Sequence, residues 1–321
     1  MELASSPDLS LGLDIWKRLE PFRSFYYHML AKREELSRLS APLKTSLQLT
    51  QLAAAPRRAD EPYQFAVLGD VEPGRFWIWR KLFNRPGVFS RQIRALQDHP
   101  VDFTMQLGDM VSRGIARNYL RFFRELRKAG PGRPYLTVIG NHDRLDPHLR
   151  SNSRLYRSCF GSTNYFFDRG GARFVAIDTS AKHLRPSQLR WLDRVLRTSL
   201  RKVVFTHIPP APLRAWTDFP GVKPGVGGFQ RGAAEFMEIL SRRRVDRVYL
   251  GHIHGFGVQD YKGVRYVLSG GGGSPLFPSK VRDRFYHYIL VTVSSGGVTE
   301  TVCGLDGGRF GIPAGQVLLS F

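Results

Sequence analysis

The chain has 321 residues, of which 42% are hydrophobic, so it can bury a large core and is not an intrinsically disordered protein. Its 48 lysines and arginines exceed its 27 aspartates and glutamates, giving a net charge of +21. That excess predicts attraction to nucleic acid, anionic lipid or phosphorylated small molecules, although it is equally typical of a solvated arginine-rich surface. Only Cys159 and Cys303 are present, which excludes a disulfide framework and a cysteine-based zinc motif.

The N-terminal segment is predicted to be helical. Apolar residues between Phe22 and Leu30 recur at helical spacing and form one face. That face either packs on the chain's own domain, which is the favoured interpretation, or lies on an anionic membrane. Ala53–Pro62 is typical of a linker, so we predict an extension and linker over 1–60 and one main domain over 61–321.

Localisation is predicted from two absences in the sequence. Met1–Ser10 lacks the basic and apolar regions of a secretory signal. No apolar run approaches the roughly 20 residues that cross a bilayer. The sequence therefore predicts a cytoplasmic protein, with peripheral attachment to a membrane left open.

Beyond the linker, short apolar runs alternate with amphipathic segments. In chain order the predicted elements are a strand at Gln64–Leu68, a helix at Phe89–Gln97, a strand at Val101–Leu107, a helix at Ile115–Lys128, strands at Tyr135–Ile139, Tyr165–Phe167 and Arg173–Ile177, a helix at Ser187–Arg197, a strand at Lys202–Thr206, a helix at Gly232–Arg243, and strands at Arg247–Leu250, Val258–Tyr261, Val264–Leu268 and Tyr286–Val293. Strand–helix alternation followed by antiparallel pairs predicts a sandwich of mixed sheets with helices outside.

Five polar clusters each follow an apolar run. They are Gly69-Asp70-Val71-Glu72, Gly108-Asp109, Gly140-Asn141-His142-Asp143, Thr206-His207 and Gly251-His252-Ile253-His254-Gly255. Because sites in α/β sheets form where strands end, we expect these side chains to meet at one edge of a sheet. Each cluster alone is typical of a turn, but five together predict a two-metal hydrolytic site. Their oxygen and nitrogen donors suit Mn, Fe or Zn best, with Mg also a candidate, and Asp109 is the natural bridging carboxylate.

The order of these clusters, with Gly108–Gly114 extending the second, resembles the calcineurin-like metallophosphoesterase superfamily over roughly residues 64–295. The resemblance implies a four-layer α/β/β/α sandwich that binds two divalent metal ions. It also implies in-line attack on phosphorus by a metal-bridging hydroxide, without a covalent intermediate. The substrate is left open.

The resemblance implies a role for each matching residue. The residues similar to ligands of the first metal are Asp70, Asp109 and His254. Those similar to ligands of the second, with Asp109 bridging, are Asp109, Asn141, His207 and His252. His142 resembles the residue that contacts the scissile phosphate and helps the leaving group, and Asp143 would orient the His142 ring.

Glu72 departs from the superfamily pattern, which has His at this position as a ligand of the first metal. Glu72 could bind the metal through oxygen, directly or through water, which is the favoured interpretation and would select harder ions. Alternatively it could reach a substrate hydroxyl, or the first site could be weakened.

Three arginines near the clusters, Arg75, Arg113 and Arg144, are candidate contacts for the phosphate of the substrate. The expected partner is a phosphorylated substrate, which could be a monoester, a diester or a pyrophosphate. Two subclasses are open, a lipid-linked pyrophosphatase at a membrane surface and a nuclease acting on nucleic acid. A non-catalytic phosphate-binding scaffold on the same fold is the alternative from another class.

Overall fold

The computed structural model describes residues 31–71, 85–144, 152–219, 221–276 and 285–313. The apolar face predicted between Phe22 and Leu30 lies outside them. The described part of the N-terminal extension consists of helix α1 (31–40), a 3-10 turn at Ala41–Leu43 and helix α2 (Thr45–Ala54). No helix among the described residues combines the length and apolarity that crossing a bilayer requires.

The strands of the described residues form two six-stranded sheets. The first has the order β12-β11-β10-β1-β2-β3, with β1 at Tyr63–Leu68, β2 at Val101–Gln106, β3 at Tyr135–Thr137, β10 at His287–Ser294, β11 at Gly297–Gly304 and β12 at Arg309–Gly311. The second has the order β4-β5-β6-β7-β9-β8, with β4 at Tyr165–Arg169, β5 at Ala172–Ala176, β6 at Arg201–Phe205, β7 at Arg247–Leu250, β8 at Phe256–Tyr261 and β9 at Val264–Ser269. In the first sheet β1, β2 and β3 are parallel, and β10, β11 and β12 extend the sheet beside β1 as antiparallel strands. In the second sheet β5, β6, β7 and β9 are parallel, and the edge strands β4 and β8 are antiparallel.

Helices cover the outer face of each sheet. They are α3 (Val88–Leu96), α4 (Ala116–Ala129) and α5 (Arg154–Cys159) over the first sheet, and α6 (Pro186–Val195), α7 (Arg214–Thr217) and α8 (Ala233–Arg242) over the second. Each long helix buries one apolar stripe, as its sequence spacing predicts. The predicted four-layer α/β/β/α sandwich is therefore confirmed.

Aromatic side chains fill the space between the two sheets. Phe65 of β1 is fully buried and stacks on Phe103 of β2, with ring centroids 4.9 Å apart. Phe174 of β5 and Phe205 of β6 meet Phe65 edge-on across the sandwich. These contacts join the sheets and fix the relative positions of the loops at their strand ends.

The described part of the N-terminal extension packs on the main domain. Leu36 and Leu39 of α1 are buried in the same apolar cluster as α3 and α4. The Glu35 carboxylate forms an ion pair with the guanidinium of Arg124 in α4, at 2.7 Å. The basic helix α4 is therefore anchored to α1 on the outside of the first sheet.

His287, at the start of β10, is fully buried outside the polar clusters. Its Nδ1–H donates to the carbonyl of Phe285 at 2.9 Å, and its Nε2 lies 3.2 Å from Ser269 Oγ. Burial lowers the pKa of His287 from 6.5 to about 4, although the Phe285 carbonyl acts in the opposite direction. The folded protein therefore keeps this ring neutral at pH values where the unfolded chain protonates it.

We expect the free energy of unfolding to fall as the pH drops from 6.5 towards 4, with a contribution from His287 of roughly 3 kcal/mol. The sign follows from the lowered pKa, because the unfolded state binds one more proton across this window. Urea unfolding at a series of pH values measures the slope. His287→Gln should lower this slope by the equivalent of about one proton. Equal slopes in the wild type and in His287→Gln would contradict the assignment.

Candidate metal centre

The predicted polar clusters meet at the junction of the two sheets rather than at one edge of a single sheet. Asp70 and Asp109 follow β1 and β2 of the first sheet, and His207 and His252 follow β6 and β7 of the second. His207 Nδ1 lies 2.7 Å from the carbonyl of Leu107, a hydrogen bond that crosses between the sheets. The prediction of one edge was wrong because the chain order of the clusters does not reveal which sheet each strand joins.

Asp109 lies at the centre of the first group of donors. The ligand atoms of Asp109, His207 and His252 all lie within 4.8 Å of one another. His207 Nε2 is 3.3 Å from Asp109 Oδ2 and 3.0 Å from the amide oxygen of Asn141. All four residues that the sequence analysis assigned to the second metal are thus brought together.

Asp70 organises the neighbouring group. Both of its carboxylate oxygens accept the backbone N–H of His252 at 3.0 Å, and His254 Nε2 lies 3.6 Å from Oδ1. Asp70 is fully buried and His254 is nearly so. The described residues assigned to the first metal therefore lie directly beside the Asp109 group.

The donor set fits divalent metal ions. A carbonyl oxygen can only accept, so the ring nitrogens bonded to carbonyls carry the proton: His207 Nδ1 on Leu107 and His254 Nδ1, 3.0 Å from Pro275. In each neutral ring, Nε2 then presents a lone pair towards a carboxylate. Lone pairs that face one another in a buried space need a cation between them, and this histidine orientation is the one that metal sites use.

The pKa shifts of His207 and Asp109 also indicate that the cluster favours a cation. Burial alone would lower the pKa of His207, but the Asp109 and Asp70 carboxylates raise it to about 9. For Asp109 burial acts to raise the pKa, but His207, followed by His142, lowers it far below its usual value. A positive charge is therefore strongly favoured beside Asp109, either as a proton on His207 or as a bound metal.

Three of the candidate ligands sit in left-handed backbone conformations, with φ of 59° at Asp70, 48° at Asp109 and 74° at His252. Residues with a Cβ adopt this region at a cost, on the order of 1–3 kcal/mol each, and such residues cluster at functional sites. The strained turns aim the side chains of successive strand ends into one place. Asp tolerates this conformation better than most residues, which helps to explain why carboxylates follow β1 and β2.

His142 and Asp143 lie beside the Asp109 group but do not interact as predicted. The Asp143 carboxylate accepts the backbone N–H groups of Gly140, Met110 and Val111, at 2.8, 2.9 and 3.2 Å. The group next to His142 Nδ1 is instead the carbonyl of Ser112, at 3.2 Å. Asp143 therefore ties the Asp109 loop to the Asn141 loop, and the Ser112 carbonyl orients the ring.

Asp143 is fully buried without a cationic partner among its hydrogen bonds. Burial, and then repulsion by Asp109, raises its pKa to about 7, against the lowering effect of the Gly140 N–H. Its three backbone bonds hold the two loops that carry Asp109 and Asn141 in register. Asp143 therefore fixes the relative position of the two loops that carry these candidate ligands.

A glycine-rich segment after β9 supports the Asp70 group, and the sequence analysis assigned no site role to it. Gly272 donates its backbone N–H to the carbonyl of Gly69 at 2.7 Å, and Ser274 donates to the carbonyl of Asp70 at 2.7 Å. A Cβ on Gly272 would lie 2.2 Å from the Gly69 carbonyl oxygen. The run Gly270–Gly273 is therefore needed for close backbone contact, and four consecutive glycines after a strand were its signal in the sequence.

The remaining predicted site residues divide into two groups. Glu72 and Arg75 lie outside the described residues. Arg113 is exposed on the loop before α4, and Arg144 donates to Ser180 Oγ at 3.1 Å and lies 3.9 Å from Asp178 Oδ2. Both described arginines thus flank the loops that carry Asp109 and His142.

The comparisons with known proteins agree with this geometry. The sequence model of the family described as calcineurin-like phosphoesterase matches residues 63–256. This range begins with β1 and ends just after His254, so it contains all the described candidate ligands. No curated protein sequence matches the chain.

Solved structures with the same fold include two phosphatases. The purple acid phosphatase PPD1 from yellow lupin (Lupinus luteus) has a TM-score of 0.62 and 16% identity, covering 80% of this chain and 54% of the lupin chain. A dimetal phosphatase from Danio rerio has a TM-score of 0.55 and 17% identity, covering 79% of this chain and 100% of the other. GAP50, the anchor in the inner membrane complex of Plasmodium, has a TM-score of 0.55 and 14% identity, covering 79% and 90%. This chain spans about half the length of the lupin enzyme, and at these identities the similarity shows the fold.

Proposed function

Because the chain belongs to the calcineurin-like phosphoesterase family, we propose that it hydrolyses a phosphoester or phosphoanhydride bond with two divalent metal ions at the junction of its sheets. The observation that carries the proposal is the convergence of Asp109, His207 and His252 within 4.8 Å, with Asp70 and His254 alongside. Folding alone does not require the two sheets to bring histidine nitrogen and carboxylate oxygen lone pairs together in a buried space, whereas a bound metal ion does.

We assign the described residues to two ions by their contacts. Asp70 and His254 would hold the first ion, with Glu72 as a further oxygen ligand, as expected from the sequence. Asn141, His207 and His252 would hold the second, and Asp109 would contact both. Bound there, divalent ions supply Lewis-acid stabilisation of phosphoryl oxygens and activate the attacking water. Mn, Fe, Zn and Mg are all compatible with the mixed donors.

His142 is proposed to give a proton to the leaving group. Its backbone N–H donates to Asp109 Oδ1 at 2.9 Å, so the residue is attached directly to the central carboxylate. With Nδ1–H held by the Ser112 carbonyl, a transferable proton is a second one, carried on Nε2. The donor is then the protonated imidazolium, which returns to the neutral ring when it gives that proton to the leaving group. The half-buried ring lies beside the ligand cluster, where it can reach a bound substrate.

Metal analysis combined with a substrate panel tests the proposed function. The panel comprises p-nitrophenyl phosphate, bis(p-nitrophenyl) phosphate and a nucleoside diphosphate sugar, each assayed with Mn, Mg, Zn and Fe. We expect about two ions per chain and turnover of at least one substrate, abolished by a chelator. Two bound ions without turnover of any would instead assign a binding role to the fold, and absence of metal would contradict the proposed centre.

His142→Ala is expected to lower kcat by roughly 10²- to 10³-fold while leaving the metal content unchanged. The reason is that His142 bonds Asp109 through its backbone, which the substitution keeps, and loses only its ring. Added imidazole should restore part of the rate if the ring transfers a proton. A variant that loses its metal, or keeps its full rate, would contradict the assigned role.

A further inference from the structure

A cationic groove runs between α3 and α4 on the outer face of the first sheet. Its volume is about 670 Å³, and one carboxylate, Glu125, is among the residues that line it. The cations that line it are Arg94 from α3 and Arg117, Arg121, Arg124 and Lys128 from α4. This groove is separate from the metal centre and is formed by helices whose apolar faces are fully used in packing on the sheet.

Most of these cations have no acidic partner in the described part of the chain. Arg94, Arg117, Arg121 and Lys128 are exposed and form no salt bridge with any carboxylate among the described residues. Glu125 accepts a hydrogen bond from Ser90 Oγ at 3.0 Å, and Glu35 pairs with Arg124. Five cations against Glu125 leave an excess of four, and Glu35 reduces it to three.

Several arginines of the second sheet and its helices are neutralised by carboxylates. Asp193 alone binds Arg197, Arg242 and Arg243, at 3.1, 2.8 and 2.8 Å. Asp246, Asp260 and Glu300 pair with further arginines of the second sheet. In the groove, by contrast, five cations lie beside a single lining carboxylate, so the groove is a local excess of positive charge.

The cations of α4 form a line. Arg117, Arg121, Arg124 and Lys128 follow one another at intervals of four, three and four residues, which places them on one helical face. At 1.5 Å per residue the line is about 16 Å long. A single phosphate group occupies only a small part of that length, whereas a chain of phosphates can use all of it.

The line begins close to the metal centre. Asn118, in the first turn of α4, donates to the carbonyl of Arg113 at 3.0 Å. Ser112, which precedes Arg113 in the chain, contacts the His142 ring through its backbone carbonyl. A chain of phosphates held in the groove would therefore continue towards the loop that carries Asp109.

We propose that this groove binds the phosphodiester backbone of single-stranded nucleic acid. Its concave form admits a strand but offers few of its charges to a flat bilayer. Membrane-binding surfaces combine basic residues with exposed aromatic or aliphatic ones, and the large apolar residues that are exposed in the described chain lie outside α3 and α4: Leu47, Phe166, Phe219, Val222, Val226 and Phe310. Binding here needs no metal, so the inference does not rest on the proposed hydrolysis.

The test is fluorescence anisotropy of a labelled single-stranded oligonucleotide with the full chain, in the presence of a chelator. The variant is the triple substitution Arg94→Gln, Arg117→Gln and Arg121→Gln, which spares Arg124 because it holds α1. Each phosphate contact contributes about −0.7 to the slope of log K against log salt for a single strand. We expect the triple variant to make that slope shallower by about 2 and to weaken binding tenfold or more at low salt.

The matched control is Arg91→Gln, Arg127→Gln and Arg190→Gln, which removes the same charge from exposed positions outside the groove. Two of the control positions, Arg91 and Arg127, lie on α3 and α4, the helices that form the groove. If both triple variants match the wild type in circular dichroism and melting temperature, unfolding is excluded as the cause of weaker binding. The control should bind like the wild type. Equal losses in both triple variants, tighter binding of a duplex, or binding of phosphatidylserine vesicles without binding of the oligonucleotide would each overturn the proposal.

Discussion

Replacing Asp109 with Asn is expected to abolish binding of at least one metal ion and to lower hydrolysis by about 10³-fold or more. Asp109 has the donor atoms of His207 and His252 within 4.8 Å and is nearly fully buried. Its loss removes both a ligand and the main negative charge that attracts a cation to this space. A metal contributes several kcal/mol of charge stabilisation to the transition state, which corresponds to that loss of rate.

Asn is the informative substitution at this position because it also tolerates the left-handed backbone that Asp109 adopts. Circular dichroism and urea unfolding should therefore show a folded protein, and metal analysis should show the loss directly. Asp98→Asn, the same change at an exposed position, is the control. Retention of two ions and of activity in Asp109→Asn would remove Asp109 from the centre of the site.

Gly140→Ala is expected to damage the site as severely although it adds only one methyl group. The new Cβ would lie 2.1 Å from Asp109 Oδ1 and 2.2 Å from the Asp109 backbone nitrogen, which is far inside contact distance. The Asp109 carboxylate and backbone must then shift, which changes their position relative to His207 and His252. We expect metal affinity to fall at least 10- to 100-fold and the free energy of unfolding to fall by about 1–3 kcal/mol.

Metal titration of the chelator-treated protein measures the first effect, and urea unfolding the second. Gly296→Ala is the matched control, because its Cβ would meet Ser294 Oγ at an ordinary 3.7 Å. The control should change neither quantity measurably. Normal metal affinity in Gly140→Ala would show that the Asp109 carboxylate does not depend on this close approach.

Most elements were predicted within about two residues from hydrophobic spacing, but strands β11 and β12 and the short helices α5 and α7 were missed. In β11 the buried positions are Val298, Glu300, Val302 and Cys303, so a charged residue interrupts the apolar alternation. Glu300 is buried because Arg247 donates to it at 2.6 Å and Tyr249 at 3.0 Å, both from the other sheet. A buried ion pair between sheets is invisible in local sequence.

The role of Asp143 shows the same limit within the site. The sequence places it beside His142 and suggests that it orients the ring. In the structure its oxygens are occupied by backbone N–H groups of two loops, including Met110 and Val111, which are more than thirty residues away in sequence. Which acceptor a backbone N–H finds depends on how the loops are brought together, and spacing along the chain does not contain that information.

The sequence by itself determined the helix and strand pattern, the family and the identity of the candidate ligands. Those properties depend on local periodicity and on residue types at strand ends, which are printed in the chain. Only the tertiary structure decided that Asp70 and Asp109 come from one sheet and His207 and His252 from the other, and that five cations line the groove between α3 and α4 with a single carboxylate, Glu125. Burial, the pairing of charges and the meeting of two sheets depend on contacts between residues far apart in sequence, so they exist only once the chain has folded.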